Sequence, residues 1–276
     1  GPYEDIRGFA FGEIDPRDAR NALITDIDLA PRNARGLVEY RATFTLRKPV
    51  DMTAAPGVLL YNIVNRGGHN GPNTWHVGGD PGDGFLYRMG HAVLWSGWQG
   101  DMPIASVTAP QEGIDVPIAR HADGSSVTSR VWARFVAVPG NATTQSLPGA
   151  AGRMPASLDT TQATLVSAVS ETPEGVKSGV VSLSATDWAF ADCRSTPFPG
   201  TPDPTRICLK GGFAPTLLYE LVYTAKDPYV LGVGMAAMRD VVSFFRYATA
   251  DSVGTPNPAA GAFRHVIAMG NSQSGR

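Results

Sequence analysis

The C-terminal segment 266–276 constrains the fold of this chain more than any other feature. The apolar run 266–269 predicts a short strand, and the sequence G-N-S-Q-S-G-R that follows over 270–276 predicts an abrupt turn. Gly270 and Ser274 flank Ser272 as small residues, the spacing typical of a strained turn that exposes a serine hydroxyl above a sheet. Serine replaces the last glycine of the strict G-x-S-x-G pattern. The segment therefore predicts a nucleophile elbow, with Ser272 as the catalytic residue.

Two other interpretations of this segment stay open. Glycine and serine also cluster in tight turns that carry no chemistry. Ser274 is a rival nucleophile, because Ser272 stands two residues before it and Arg276 two residues after it. A bulky arginine at that place obstructs close packing of a helix on a strand, so the pattern favours Ser272.

The segments before the elbow predict an α/β order. Residues 38–46 alternate between apolar and polar and predict a half-buried strand, with 24–29 as its partner. The nearly apolar run 57–64 predicts a strand buried on both faces, and a glycine turn follows it. A short helix over 84–90 and a buried strand over 91–95 complete the series of strand, glycine loop, helix and strand.

The middle of the chain has a different character. Residues 103–215 contain short β-like runs between Pro- and Gly-rich connections, which predicts a largely β insertion or cap. The α/β pattern resumes with a strand over 217–223 and with a helix that begins at Asp227–Pro228. We therefore expect three parts: a core segment over 1–102, the insertion over 103–215, and a core helix, strand and elbow over 216–276.

A nucleophilic serine needs a base, an acid that orients the base, and donors for the developing oxyanion. One donor is expected from the backbone N–H of Gln273, the residue after the serine. The other is expected from the glycine turn after the first buried strand, at Arg66, Gly67 or Gly68. A plain loop is the alternative for this turn, but two glycine turns at the ends of two buried strands fit one shared site.

The 5 histidines do not supply an evident base. His69 and His76 lie in the loop beside the glycine turn and are candidate substrate contacts. His91 and His265 begin strands and are expected at the opposite end of the sheet from Ser272, and His121 lies in the insertion. A metal site formed by His69 and His76 with Asp80 or Asp83 is disfavoured by irregular spacing, so neither a metal nor a cofactor is predicted.

Two further patterns have a functional and a structural interpretation. Trp75, Trp95 and Trp98 lie near the loops expected around the site, where they either bind a substrate ring or pack the loops. The sequence G-V-G-M-A-A over 232–237 matches a dinucleotide fingerprint, but its glycines lie inside the predicted helix and not directly after a strand. We interpret them as small residues that allow close packing.

The cysteines and the net charge indicate the compartment of the protein and the classes of partner that it does not bind. Cys193 and Cys208 lie in one Pro- and Gly-rich loop, where a disulfide would order a segment with little core of its own. Such a bond favours a periplasmic or secreted protein. The net charge is −2 and basic residues are scattered, so nucleic acid and anionic membranes are not expected partners.

Several of these segments together resemble a known family. The matching stretches are Y-E-D-I-R-G over 3–8, N-I-V-N-R-G-G over 62–68, G-H-A-V-L-W over 90–95, K-D-P over 226–228 and S-Q-S-G-R over 272–276. They are similar to the bacterial "alpha/beta hydrolase domain" family of the α/β-hydrolase superfamily. The resemblance implies an α/β fold with a mostly parallel sheet, Ser272 as nucleophile, and oxyanion donors from Gln273 and the Gly67 turn. It also places the acid and the histidine after the elbow, so we expect the C-terminal part of the fold to lie beyond Arg276.

The expected function is that of a serine hydrolase that cleaves a small-molecule or polymeric carboxylic ester through an acyl-enzyme on Ser272. The preference for esters over amides comes from the resemblance alone. The alternative is a non-catalytic binding module, which would need neither the acid nor the histidine. The expected partner, besides substrate, is the remainder of the hydrolase fold, from the same gene product and either continuous with this chain or separate from it.

Overall fold

Short strands dominate the chain. The computed structural model describes residues 1–53, 55–69, 82–136, 142–149 and 152–276. Its strands are, in chain order, β1 Tyr3–Ile14, β2 Val38–Pro49, β3 Val58–Ile63, β4 Ala92–Ser96, β5 Ile114–Asp115, β6 Thr128–Phe135, β7 Thr144–Ser146, β8 Met154–Pro155, β9 Thr164–Ala168, β10 Ser170–Glu171, β11 Lys177–Ser178, β12 Val181–Ser182, β13 Trp188–Ala189, β14 Ala191–Asp192, β15 Thr201–Pro202, β16 Arg206–Leu209, β17 Leu218–Lys226 and β18 His265–Gly270. The α-helices in these ranges are α1 Phe85–Arg88 and α2 Val233–Tyr247, and 3-10 helices form at Ala19–Asn21, Ile27–Leu29, Thr160–Gln162 and Ser272–Gly275.

The chain divides into two units. The first unit joins residues 1–117 to residues 230–276, and the second unit is 118–229. The sequence predicted an inserted part over 103–215 and a core strand directly after it. That strand is β17, and it lies in the second unit.

A mixed sheet forms the first unit, with the strand order β1-β2-β4-β3-β18. β3 pairs in parallel with both β4 and β18. β2 pairs antiparallel with β1, β4 and the two-residue β5. Both parallel pairings involve the nearly apolar strand β3, which is typical of a strand that is covered on both faces.

The partner of β2 differs from the prediction. The expected partner 24–29 contains the 3-10 helix Ile27–Leu29, and the observed partner is the twelve-residue strand β1. Two glycines interrupt the strand pattern of β1 in the sequence, and both pack closely against side chains of β2. A Cβ on Gly12 would lie 2.0 Å from Cζ of Tyr40, and one on Gly8 would lie 3.0 Å from the ring of Phe44.

Alternate side chains of β3 and β4 enter two separate clusters of the core. Leu59 and Leu94 pack with Val241 and Phe245 of α2. The neighbouring residues along the strands point the other way, into a cluster of Leu60, Val64, Val93 and Trp95 with Leu86 of α1. The two helices therefore cover opposite faces of the sheet.

α2 begins later than predicted. Asp227 does not cap it: this residue has φ +57°, and its Oδ1 accepts from Ser126 Oγ and pairs with Arg120. The helix starts at Val233, directly after Gly232. Gly234 lies in its first turn, and a Cβ there would come within 1.7 Å of the Trp98 carbonyl oxygen. The glycines of the 232–237 pattern thus stand at the start of the helix, where Gly234 allows close contact with the loop after β4.

Antiparallel pairing builds the second unit. β17 lies between β6 and β9 and also pairs with β8. Its alternate residues Tyr219, Leu221, Tyr223 and Ala225 are buried in the core of this unit. The predicted disulfide is confirmed: Cys193 is bonded to Cys208 of β16, with the two Cα atoms 5.7 Å apart.

The predicted fold class is wrong. Strands make up 37% and helices 12% of the structure, and most of its sheets are small and antiparallel. A mostly parallel α/β sheet needs a crossover helix between successive strands. The described residues supply one helix of that kind, α2, together with the four-residue α1. The protein is therefore mainly β, and only the parallel strands β3, β4 and β18 retain the predicted order.

Candidate functional site: the turns after β3 and β18

Ser272 lies at the turn that follows β18. The last residue of this strand, Gly270, is in register with Ile63 at the end of β3. Ser272 opens the 3-10 helix Ser272–Gly275, is exposed, and has φ +59°. For a residue other than glycine, this left-handed conformation costs about 1–3 kcal/mol and persists mainly where function requires it.

Small residues allow this turn to form. A Cβ on Gly270 would lie 1.9 Å from the carbonyl oxygen of Ser274, and one on Gly275 would lie 2.9 Å from the carbonyl oxygen of Gly270. The strand end and the helix are thus in backbone contact at both glycines. This is the physical reason for the spacing that predicted the elbow.

The rival nucleophile Ser274 has its hydroxyl engaged. Its Oγ donates to the Asn271 carbonyl at 2.8 Å and accepts from the Asn271 N–H at 3.2 Å. The Asn271 side chain in turn accepts from the backbone of Ser274, which completes a capping box. In the described part of the chain, the Ser272 hydroxyl has no such partner, so it is the freer of the two.

A second strained turn follows β3. Arg66 has φ +52° and Gly67 has φ +76°, and the Gly68 N–H donates to the Asn65 carbonyl at 3.1 Å. The turn is held against residue 112, because the Glu112 N–H donates to the Gly67 carbonyl at 2.9 Å. A Cβ on Gly67 would lie 2.5 Å from the Glu112 carbonyl oxygen, so glycine is required for this contact as well as for the backbone conformation.

Gln99 connects the two turns. Its Oε1 accepts the Arg66 N–H, and its Nε2 donates to Gln273 Oε1 at 3.1 Å. Gln99 is 6% exposed. Of the candidate oxyanion donors, the N–H groups of Arg66 and Gly68 thus have acceptors. Those of Gly67 and Gln273 have none among the residues that the structure describes.

Asparagine side chains also hold β3 and β18 together near these turns. Asn62 donates through Nδ2 to the Met269 carbonyl at 3.3 Å and accepts from Trp95 Nε1 at 2.8 Å. Asn65 donates to the Asn271 carbonyl at 3.4 Å. No sequence pattern predicted a role for Gln99, Asn62 or Asn65. The signal that could have found them is their position, because each polar side chain lies in or directly after an apolar strand.

Glu112 is the centre of a buried polar cluster beside the turn. Its side chain is 4% exposed and lies 2.9 Å from His69 Nε2. Thr45 donates to it at 2.7 Å, and Thr43 also donates to it. The ring of His69 stacks on that of Trp95, with centroids 4.5 Å apart. The cluster satisfies a carboxylate that would otherwise be costly to bury, and it holds His69 directly after the turn.

The structure assigns packing roles to two of the candidate tryptophans. Trp95 is 1% exposed and lies within the core, so it does not line an open site. Trp98 is half-buried and donates through Nε1 to the Val64 carbonyl at 2.6 Å, which anchors its loop to the end of β3. Trp75 lies outside the described residues.

Two other histidines of the first unit lie away from Ser272. His265 begins β18 and His91 precedes β4, so both stand at the opposite ends of the parallel strands from the elbow. Burial lowers the pKa of His91, and its Nδ1 has no hydrogen-bond partner within the described ranges. His121 is in the second unit. His76 and Asp80 lie outside the described residues, and within the described ranges no three His, Cys, Asp or Glu residues are grouped as metal ligands.

Comparisons with protein-family models, with curated proteins and with solved structures found no match. The predicted membership of the bacterial alpha/beta hydrolase domain family is corrected on this result and on the mainly β architecture. Across the described residues, no helix has the length and apolar character to cross a membrane. What remains for function is the local geometry of the two turns.

Proposed function

We propose that this protein is a serine hydrolase that cleaves a carboxylic ester through an acyl-enzyme on Ser272. The observation that carries the proposal is the left-handed backbone of Ser272 in an exposed turn directly after a parallel strand. Strain of this kind presents the hydroxyl of a nucleophile clear of its own backbone. Catalytic constellations recur on unrelated folds, so the mainly β architecture does not argue against the chemistry.

In this proposal, two backbone amides serve as donors to the oxyanion. The Gln273 N–H belongs to the residue after the nucleophile, and the Gly67 N–H belongs to the turn that Gln99 links to it. Both are unbonded within the described residues, so both are free to donate to the negative oxygen of a tetrahedral intermediate. Such preorganised donors are worth about 3–4 kcal/mol of transition-state stabilisation each.

The reaction has two halves. Ser272 Oγ attacks the carbonyl carbon while its proton passes to a base, and the alcohol leaves with a proton returned by that base. Water then attacks the acyl-enzyme and releases the carboxylic acid. In this proposal the base and its acid come from outside the described residues of the first unit, because His69 is bonded to Glu112, and His91 and His265 stand at the opposite ends of the parallel strands from Ser272.

A fluorophosphonate probe tests the proposal directly, because it reacts only with an activated serine. Labelling at Ser272, with its loss in Ser272→Ala and its retention in Ser274→Ala, is the expected result. Peptide mapping of the labelled protein identifies the residue. Labelling that survives in Ser272→Ala but disappears in Ser274→Ala would transfer the role to Ser274.

One observation favours the alternative, a binding module without catalysis. The Gln99 side chain accepts the Arg66 N–H and donates to the Gln273 side chain. These polar groups therefore already have hydrogen-bond partners without a substrate. A module of this kind would show no labelling by the probe at any serine. The same experiment therefore separates the two functions.

The disulfide indicates the compartment in which the protein acts. A bond between Cys193 and Cys208 fits a setting outside the reducing cytoplasm. We propose the periplasm or the extracellular space as that setting, with a small-molecule or polymeric ester as substrate. Fractionation of the natural host, followed by detection of the protein, tests this assignment.

A further inference from the structure

The outer edge of β18 is unpaired among the described residues. β18 is the last strand of its sheet and pairs only with β3 in this part of the chain. The His265 N–H donates to Gly57, and the Met269 carbonyl accepts from Asn62, so these residues point toward β3. Alternate residues of a strand direct their peptide groups to opposite edges. The N–H and C=O groups of Val266 and Ala268 therefore face outward, where no described residue bonds them.

An apolar groove runs beside this outer edge. It has a volume of about 570 Å³ and lies between α2 and the face of the sheet that carries the side chains of Val266 and Ala268. Its other apolar walls are Tyr61, Ile63, Met235, Met238, Val242 and Tyr247. Met235 and Tyr247 are exposed, and Ile267 on the opposite face of β18 is 52% exposed. Apolar side chains are thus exposed on both faces of a strand whose outer edge is paired by no described residue.

Arg246 supplies a charge at the same groove. Among the described residues, its buried Nε has no hydrogen-bond partner and no carboxylate forms an ion pair with it. The contact found for its guanidinium is with the Tyr247 ring, 4.9 Å from the centroid. Arg239 also lines the groove, but it already bonds Asp240 and Asn21. Arg246 is therefore the cation in this groove that lacks an anion.

We propose that the edge of β18 and this groove bind an extended polypeptide segment, which adds a strand to the sheet and places a carboxylate against Arg246. The free N–H and C=O groups of Val266 and Ala268 select a peptide backbone over a small molecule. The uncovered side chains on both faces of β18 select an apolar segment, because a strand added there is covered on both sides. The unpaired Arg246 selects one Asp or Glu in that segment. Unpaired strand edges are the usual place for such additions.

The test uses two synthetic peptides of alternating valine and threonine that differ only in a central Glu or Gln. Fluorescence anisotropy measures their affinities, and amide hydrogen exchange measures protection along β18. We expect the Glu peptide to slow exchange at Val266 and Ala268 and to bind roughly ten-fold more tightly than the Gln peptide. Arg246→Gln removes that ten-fold difference, while Arg239→Gln, the matched control in the same groove, preserves it.

Each other outcome overturns the proposal. Absence of binding, protection away from β18, or equal affinities of the two peptides would show that the edge and Arg246 do not select such a segment. Protection of Val266 and Ala268 that rises with protein concentration and without peptide would identify a second copy of this chain as the occupant. Because the readout is binding, its failure leaves the proposed chemistry at Ser272 untouched.

Discussion

The side-chain amides of Gln99 and Gln273 are hydrogen-bonded, with 3.1 Å between Nε2 and Oε1. Through the other end of the same amide, Gln99 accepts the N–H of Arg66. One buried side chain therefore fixes the distance between the turn after β3 and the turn that carries Ser272. If the two turns act together on one substrate, their spacing depends on Gln99.

Replacement of Gln99 by leucine tests this dependence. Gln99→Leu leaves the Arg66 N–H without its acceptor, and we expect a loss of about 1–3 kcal/mol in the free energy of unfolding. Hydrogen exchange should quicken at Arg66 and at Gln273, the two residues that Gln99 holds. Gln111→Leu, at an exposed glutamine, is the control and should change neither quantity. Unchanged exchange at both residues in Gln99→Leu would contradict the linking role.

A comparison of Gly67 with Gly36 tests whether the turn after β3 requires glycine because of its contact with Glu112. Both have φ +76°, so alanine at either site bears the same left-handed backbone cost of about 1 kcal/mol. Only Gly67 has a neighbour in the way, because its Cβ would lie 2.5 Å from the Glu112 carbonyl oxygen. We expect Gly67→Ala to cost about 1–3 kcal/mol more than Gly36→Ala in urea unfolding. Equal losses would show that the contact with Glu112 is not tight.

Because the backbone at Ser272 is strained, we expect a substitution that relieves the strain to raise the free energy of unfolding and to abolish the reaction of the serine. Ser272→Gly removes the left-handed penalty, so the free energy of unfolding should rise by about 1 kcal/mol while labelling by a fluorophosphonate is lost. Ser272→Ala should lose the labelling without the gain in stability, because alanine retains the penalty. Thermal and urea unfolding of the two variants provide the comparison. A glycine variant no more stable than the alanine variant would refute the strain.

Local patterns were enough to predict the strands that bear the site. The apolar runs that became β3 and β18 are each followed by glycine turns, and a strained turn does follow each strand in the structure. These features depend on residues close together in the chain. The small residues around Ser272 are local in the same sense, because the clash that excludes a Cβ at Gly270 comes from Ser274.

Features that depend on contacts between residues far apart in the chain could not be predicted from the sequence. The alternation over 38–46 placed Thr43 and Thr45 on an exposed face, but they are 2% and 3% exposed because Glu112 lies over them. Glu112 stands in a loop that no pattern distinguishes. The prediction of the fold class was wrong for the same reason. The residue pattern of a strand such as β17 is compatible both with a parallel core sheet and with an antiparallel sheet. Its partners β6 and β9 decide between them, and they come from other parts of the chain.

The disulfide should stabilise the second unit. Cys193 and Cys208 are separated by 15 residues, and closing a loop of that size contributes about 3 kcal/mol in the chain-entropy model. The double variant Cys193→Ser, Cys208→Ser should therefore unfold at lower urea concentration, and reduction of the native protein should reproduce the shift. Thiol titration of the unreduced, denatured protein should find no free cysteine. Two titratable thiols, or a variant as stable as the native protein, would contradict this.

Acid should weaken the first unit through Asp5. Hydrogen bonds from Arg47, at 2.7 and 2.9 Å, lower the pKa of this carboxyl below its ordinary value of 3.8, although its partial burial opposes them. Because the folded-state pKa is the lower one, the ionised carboxylate stabilises the fold above about pH 4, and this contribution is lost as the pH falls through the folded-state pKa. Arg47 also lies over the Trp95 ring, which stacks on His69.

The Asp5→Asn variant isolates this contribution. Urea unfolding between pH 5 and pH 2 should show a shallower fall in its free energy of unfolding than in that of the native protein. Asp28→Asn is the matched control, because Asp28 also pairs with an arginine but its side chain is 84% exposed, where ion pairs contribute little. Its acid profile should follow that of the native protein. If Asp5→Asn instead falls as steeply as the native protein, the ion pair with Arg47 does not set the acid limit, and the carboxylates of the second unit around Arg134 become the residues to examine.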